Sequence, residues 1–145
     1  MKTPISRHFN YEEFEFSQKA NELGIDNQIP SDKIRFSIRL LVLNLLEPLR
    51  KIIQRPIIIT SGYRCHTLNK AIGGAKNSQH LAGEAVDIHC GGALEVLFLA
   101  QVVLRHKLPF DQMILHDSLL HLSFKAHGHQ RYQILYNKSY KEAQL

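Results

Sequence analysis

The segment Ser78-Gln79-His80-Leu81-Ala82-Gly83-Glu84-Ala85-Val86-Asp87 places a histidine and an aspartate seven positions apart. Gly83 lets the backbone turn between them and Ala85 leaves room beside a strand, so His80 in a loop can converge on Asp87. Imidazole nitrogen and carboxylate oxygen are ordinary zinc ligands at about 2.0–2.2 Å, and a catalytic zinc takes a third protein ligand while keeping one position for water. A hairpin later in the chain can supply it. If Asp117 and Ser118 form a turn between Asp111–His116 and Leu119–Phe124, then His116 faces Leu119 and Ile114 faces His121 across the ladder. His116 and His121 then share a face as diagonal neighbours about 7–8 Å apart. That spacing suits one ligand and one reactive side chain, so His121 is assigned to the metal and His116 to the reaction. A lone histidine and aspartate would carry little weight in a chain with nine histidines. Asp87, however, sits between Val86 and Ile88 in an apolar run, where a carboxylate must be paired, hydrogen-bonded or metal-bound to offset its desolvation.

These residues need elements to hold them. Tyr11 to Leu23 reads as a helix closed by Gly24. Ser31 starts the principal core helix, in which Ile34, Ile38, Leu41, Val42, Leu45, Leu49 and Ile52 recur on one face. Pro48 lacks the N–H that this helix needs, which predicts a kink or break near Asn44 to Glu47. Pro56 to Thr60, with three consecutive isoleucines, reads as a short buried strand. Arg64 to Ile72 reads as a short helix ended by Gly73 and Gly74, and Ala85 to His89 as a strand. Ala93 to His106 carries Leu94, Leu97, Phe98, Gln101, Val102 and Arg105 at helical spacing, the pattern of a helix packed on a sheet. Asp111 to His116, Leu119 to Phe124 and Arg131 to Tyr136 read as the last strands. Helices followed by mostly adjacent strands indicate an α+β fold, an antiparallel sheet with helices mainly on one side.

Composition narrows the field. A chain of 145 residues, 44% of them hydrophobic, suits one compact domain spanning 1–145. The longest strongly apolar stretches, such as Leu40 to Leu46, fall far short of the roughly 20 residues of a membrane-spanning helix. Met1 to Phe16 carries Lys2, Arg7, Glu12, Glu13 and Glu15 and lacks the continuous apolar core of a signal peptide, which predicts a chain that is cytoplasmic as synthesised. The net charge of +5 favours polyanionic surfaces, but the basic residues are scattered and no groove-reading motif accompanies them, so no nucleic-acid partner is expected. Cys65 and Cys90 are too few for a disulfide framework and read as buried, reduced thiols.

The segments Ile59-Thr60-Ser61-Gly62-Tyr63-Arg64, Leu68-Asn69, Gly73-Gly74, Ser78-Gln79-His80, Gly83-Glu84-Ala85 and Asp87, followed by Phe110-Asp111-Gln112-Met113-Ile114 and His121-Leu122-Ser123-Phe124, together resemble the zinc D-alanyl-D-alanine carboxypeptidases of the M15 peptidase family. The opening Ile5-Ser6-Arg7-His8-Phe9-Asn10-Tyr11-Glu12-Glu13-Phe14 is similar to the start of short single-domain members found in phages and prophages. The resemblance implies a hedgehog/D,D-peptidase-like fold, a Zn2+ cofactor on His80, Asp87 and His121, and a substrate-side arginine at Arg64. A guanidinium presents a planar fork to a carboxylate or carbonyl and can stabilise charge developing in the transition state. Many members carry an acid at the end of the Asp-Gln strand or three positions before the last ligand, where this chain has His116 and Ser118. His116 matches the spacing of a histidine used by some carboxypeptidases of the family, and Asp117 is a nearby substitute acid. Ser78 and His89 are candidates to support the ligands, and Ser78 also to touch substrate.

The expectation is therefore a zinc carboxypeptidase or endolysin-type endopeptidase acting on peptidoglycan or its peptide precursors, monomeric, and released to the cell wall on lysis. The alternative is a zinc-containing muropeptide- or protein-binding module that has lost turnover, a role for which the signalling domain of hedgehog proteins is the resembling example.

Overall fold

The computed structural model describes residues 2–137. The N-terminal part is helical: α1 (Glu12–Glu15), α2 (Gln18–Leu23), α3 (Asp32–Leu41), a π-helical turn (Val42–Leu46) and α4 (Glu47–Ile53). Then follow β1 (Ile59–Ser61), α5 (His66–Ala71), a 3-10 turn (Gln79–Ala82), β2 (Ala85–His89), α6 (Ala93–Arg105), β3 (Gln112–Leu115), β4 (Leu119–Ser123) and β5 (Gln133–Tyr136). The five strands form one sheet in the order β1-β2-β4-β3-β5. All neighbours are antiparallel except β3 and β5, which run parallel. The result is the expected single-domain α+β fold with one departure from a purely antiparallel sheet.

Strand alternation divides the sheet into two faces. Val86, Ile88, Met113, Leu115, Leu120 and Leu122 are buried against the helices. Asp87, Ile114 and His121 point the other way, and they lie in one row across β2, β4 and β3, with Asp87 opposite His121 and His121 opposite Ile114. The helical layer supplies the core through Ile38, Leu41, Val42, Leu45, Leu46 and Leu49, all with no exposed surface. Ser31 caps α3 by accepting the Ile34 N–H. The predicted interruption at Pro48 takes the form of the π turn, in which Glu47 N–H bonds Val42 O, and the Asn44 amide donates to Leu40 O at 2.8 Å. The wider turn shifts the phase of the face, so Ile53 packs on the core and Ile52 stays exposed.

Other expectations need correction. Tyr11 to Leu23 is two short helices, because Phe16 is extended and Ser17 caps α2 through the Ala20 N–H; Gly24 does close α2 at φ 68°. The isoleucine run is not a buried strand: Ile57 is buried, Ile58 is 58% exposed, and the ladder begins only at Ile59, on the sheet edge. In α6 the helix is correct but its buried face is Val96, Leu99, Ala100 and Val103, while Leu94 and Phe98 are exposed. A helix apolar nearly all round leaves its inward stripe undetermined by periodicity, and packing on β3 and β4 decides it. Cys90 is buried as expected, whereas Cys65 is only half-buried; both are free thiols. Among the described residues no helix is long and apolar enough to cross a membrane.

Candidate metal centre

Three donors from distant parts of the chain meet on the open face of the sheet. His80 comes from the 3-10 turn, Asp87 from β2 and His121 from β4, and one ligand atom of each lies within 4.8 Å of the others. The turn exists because Ser78 caps it, its hydroxyl accepting the His80 N–H at 3.2 Å, and because Gly83 closes it at φ 73°. A Cβ on Gly83 would approach Ile34 O at 3.0 Å, so the turn seats directly on α3.

Chemistry within the cluster identifies what it is suited to hold. His80 Nδ1 is 2.6 Å from the Gly62 carbonyl, which only accepts, so Nδ1 carries a proton and, in the neutral imidazole that a metal requires, Nε2 bears the lone pair. That Nε2 is buried, has no hydrogen-bond partner among the described residues, and lies 3.4 Å from Asp87 Oδ1. A lone pair facing an acceptor-only carboxylate is repulsive, and a cation between them reverses the sign. His121 Nδ1 lies 2.9 Å from the same Oδ1, completing a two-nitrogen, one-oxygen set suited to a divalent metal.

Asp87 is the centre of this arrangement. Burial acts to raise its pKa, but the hydrogen bond from His121 is the largest opposing influence and the carboxyl is held well below the usual range. Its second oxygen accepts from Arg64 Nη2 at 3.2 Å. The other nitrogens of Arg64 are also engaged, Nε to Ser61 Oγ at 3.0 Å and Nη1 to Asn69 Oδ1 at 3.4 Å. Ser61 reaches this face through a bulge in β1: Ile59 pairs with Ile88, yet Ser61 pairs with Asp87, which turns Ser61 onto the face that carries the three donors. Burial lowers the pKa of Arg64, against the opposing pull of Asp87, and the group remains a cation at neutral pH.

A cavity of about 530 Å³ opens over the three donors. Arg64, Ser78, Gln79, Gln112, His116, Leu119 and Arg131 contribute to its walls. His116 follows β3, its N–H bonding Leu119 O, so the hairpin register derived from the sequence holds. Its Nδ1 is 3.0 Å from the Asn137 amide. Burial lowers its pKa, partly opposed by Asp87, so the neutral imidazole persists below the ordinary titration range.

Of the remaining candidates, Asp117 is exposed at the hairpin turn and does not line the cavity, although its charge acts on His116. His89 is exposed at the end of β2, and the groups that touch the His80 and Asp87 side chains are instead the Gly62 carbonyl and Arg64. Sequence reasoning gave no role to Asp111, Arg131 or Gln79. Asp111 has no exposed surface and accepts from Gln79 Nε2 at 3.1 Å and from Arg131 through N, Nε and Nη2 at 2.8–3.1 Å. An aspartate directly before an apolar strand was the available signal.

The profile described as Peptidase M15 matches residues 7–123, a span from the N-terminal segment to the end of β4 that includes His80, Asp87, His116 and His121. No curated protein compared with the chain matches it. A match over most of the chain, on a fold that gathers His80, Asp87 and His121 beside one cavity, has one consequence: the chain belongs to the M15 peptidase family.

Proposed function

We propose that the protein is a zinc peptidase that hydrolyses the D-amino-acid-containing stem peptides of peptidoglycan. The observation that carries this reading is the orphaned Nε2 of His80, buried and aimed at a carboxylate that also meets His121. His80, Asp87 and His121 hold the metal. Bound there, zinc supplies Lewis acidity and brings the pKa of water towards neutrality.

The other side chains have distinct tasks. Arg64 fixes the orientation of Asp87; three of its five N–H donors are taken by Ser61, Asn69 and Asp87, and the remaining two serve a substrate carbonyl. Ser78 holds the His80 turn and presents part of the cavity wall to substrate. His116, neutral at working pH, accepts a proton during attack and returns it to the leaving amine. Asp117 acts on His116 through its field alone. Leu119 and Ile114 provide an apolar floor for the methyl groups of alanine residues.

The test is incubation of purified, zinc-reconstituted protein with muropeptides, read by mass spectrometry. Release of D-alanine or scission of the stem peptide is expected, with loss on chelation and in His121→Ala; hydrolysis that survives both refutes the metal assignment. One observation favours a second reading, a binding module without turnover: Asp87 is the sole carboxylate among the cavity-lining residues. Stoichiometric zinc with muropeptide binding and no cleavage selects that reading.

A further inference from the structure

Arg131 lies beyond the span matched by the family profile, yet it lines the cavity that holds the three donors. Its side chain is 52% exposed while its partner Asp111 is fully buried. Nε and Nη2 donate to Asp111, and Nη1 has no partner among the described residues. The guanidinium is thus anchored along one edge and open along another.

Its backbone is fixed as well. Arg131 N–H donates to Asp111 Oδ1 and Gln133 N–H to Asp111 O, so the aspartate brackets the residue from both sides. Tyr132 between them takes φ 54°, a left-handed conformation that few non-glycine residues adopt, and its ring packs edge-on against the buried Phe110 at 5.2 Å. A half-exposed arginine normally gives up much side-chain entropy when it grips a ligand. Here the buried carboxylate has already ordered it, so little further ordering remains for binding. Arg64 cannot play this part equally, since each of its guanidinium nitrogens is already bonded to Ser61, Asn69 or Asp87.

We propose that Arg131, held by Asp111, is a specificity-determining residue that recognises a carboxylate of the substrate, so that the cavity takes peptides carrying a free carboxylate in preference to their amides. This deepens the peptidase reading and rests on it. The carboxylate can be the C-terminal group of the peptide or that of an acidic side chain.

The experiment uses the full chain and three probes: acetylated D-Ala-D-Ala with a free C-terminus, the same peptide as its C-terminal amide, and an amidated peptide whose one carboxylate is on a side chain. Direct binding is followed by NMR titration before zinc is added, and KM and kcat are measured after. In the unmodified protein the free carboxylate should bind about tenfold or more tightly than the amide, the range expected for hydrogen bonding to a charged group, with the change in KM rather than kcat. Arg131→Gln should bring acid and amide within twofold of each other, and Arg131→Lys, which keeps charge but loses the planar fork, should fall between. Zinc stoichiometry of each variant reports whether the fold and the donor set are intact. The probe that carries the discrimination identifies which carboxylate is read. Equal handling of acids and amides by the unmodified protein, or an undiminished preference in Arg131→Gln, overturns the proposal even where zinc is bound and peptides are cleaved. Carboxylate selectivity in the titration without cleavage after zinc addition sustains the proposal and counts instead against turnover.

Discussion

Gly62 touches no metal, yet its replacement by alanine should weaken metal binding. The added Cβ would lie 2.8 Å from Phe14 Cα and 2.9 Å from Phe14 O, backbone atoms of α1 that cannot rotate away. Reaching ordinary carbon–carbon contact near 3.5 Å requires a displacement of about 0.7 Å. The neighbouring bond of Tyr63 N–H to Phe14 O resists movement of α1, so much of the shift falls on Gly62 itself. Its carbonyl would leave His80 Nδ1, now at 2.6 Å, for a separation of roughly 3.3 Å, beyond the usual range of a good hydrogen bond. Overpacking of this kind costs about 1–3 kcal/mol, equivalent to a fall in Tm of roughly 3–12 °C for a chain of this length. Loss of the group that orients a histidine ligand lowers metal affinity by about 10–100-fold. Thermal melts of the metal-free protein and zinc competition against a chromogenic chelator measure the two effects separately. Gly24→Ala is the control: at φ 68° with open space around it, it should cost about 1–2 kcal/mol of stability and leave zinc affinity unchanged. A Gly62→Ala protein that melts early but binds zinc within twofold of the unmodified chain would refute the orienting role of the carbonyl.

Three further outcomes are expected. His116→Ala should keep one zinc per chain while cleavage of stem peptides falls by about 10²–10⁴-fold, and retention of rate would remove His116 from the proton path. Asp111 is buried, which raises its pKa, but bonding to Arg131 and Gln79 outweighs burial and lowers it. A carboxyl lowered on folding contributes stability above its unfolded value near ~3.9 and loses it as pH falls through the folded value. Asp111→Asn should therefore be less stable at neutral pH and show a shallower acid limb in urea titrations between pH 7 and 3; an unchanged slope contradicts the pairing. Burial pushes the Cys90 thiol up to about 11, whereas Cys65 is half-buried, so native labelling at pH 8 should add one alkyl group and labelling after denaturation two. Rapid native modification of both would show that the β2 to α6 junction opens.

Local chemistry was sufficient for a large part of this molecule. The Ser31 cap, the Gly24 and Gly83 turns and the interruption at Pro48 each follow from what one residue does to its own backbone. The hairpin register also followed, because a two-residue turn leaves few ways to pair Ile114 with His121, and with it came the common face of His116 and His121. Asp87 between two buried aliphatics announced a partner without naming it. What remained hidden depended on atoms far apart in the chain. The inward face of α6 was settled by packing on β3 and β4, since nearly every face of that helix is apolar. The bulge that pairs Ser61 with Asp87, the Gly62 carbonyl that sets the His80 proton, and the buried Asp111 that holds Arg131 at the cavity are each a relation between segments 18 to 26 positions apart. Periodicity reports which residues avoid water; it carries no information about which polar group a buried donor or acceptor will meet, and only the folded chain decides that.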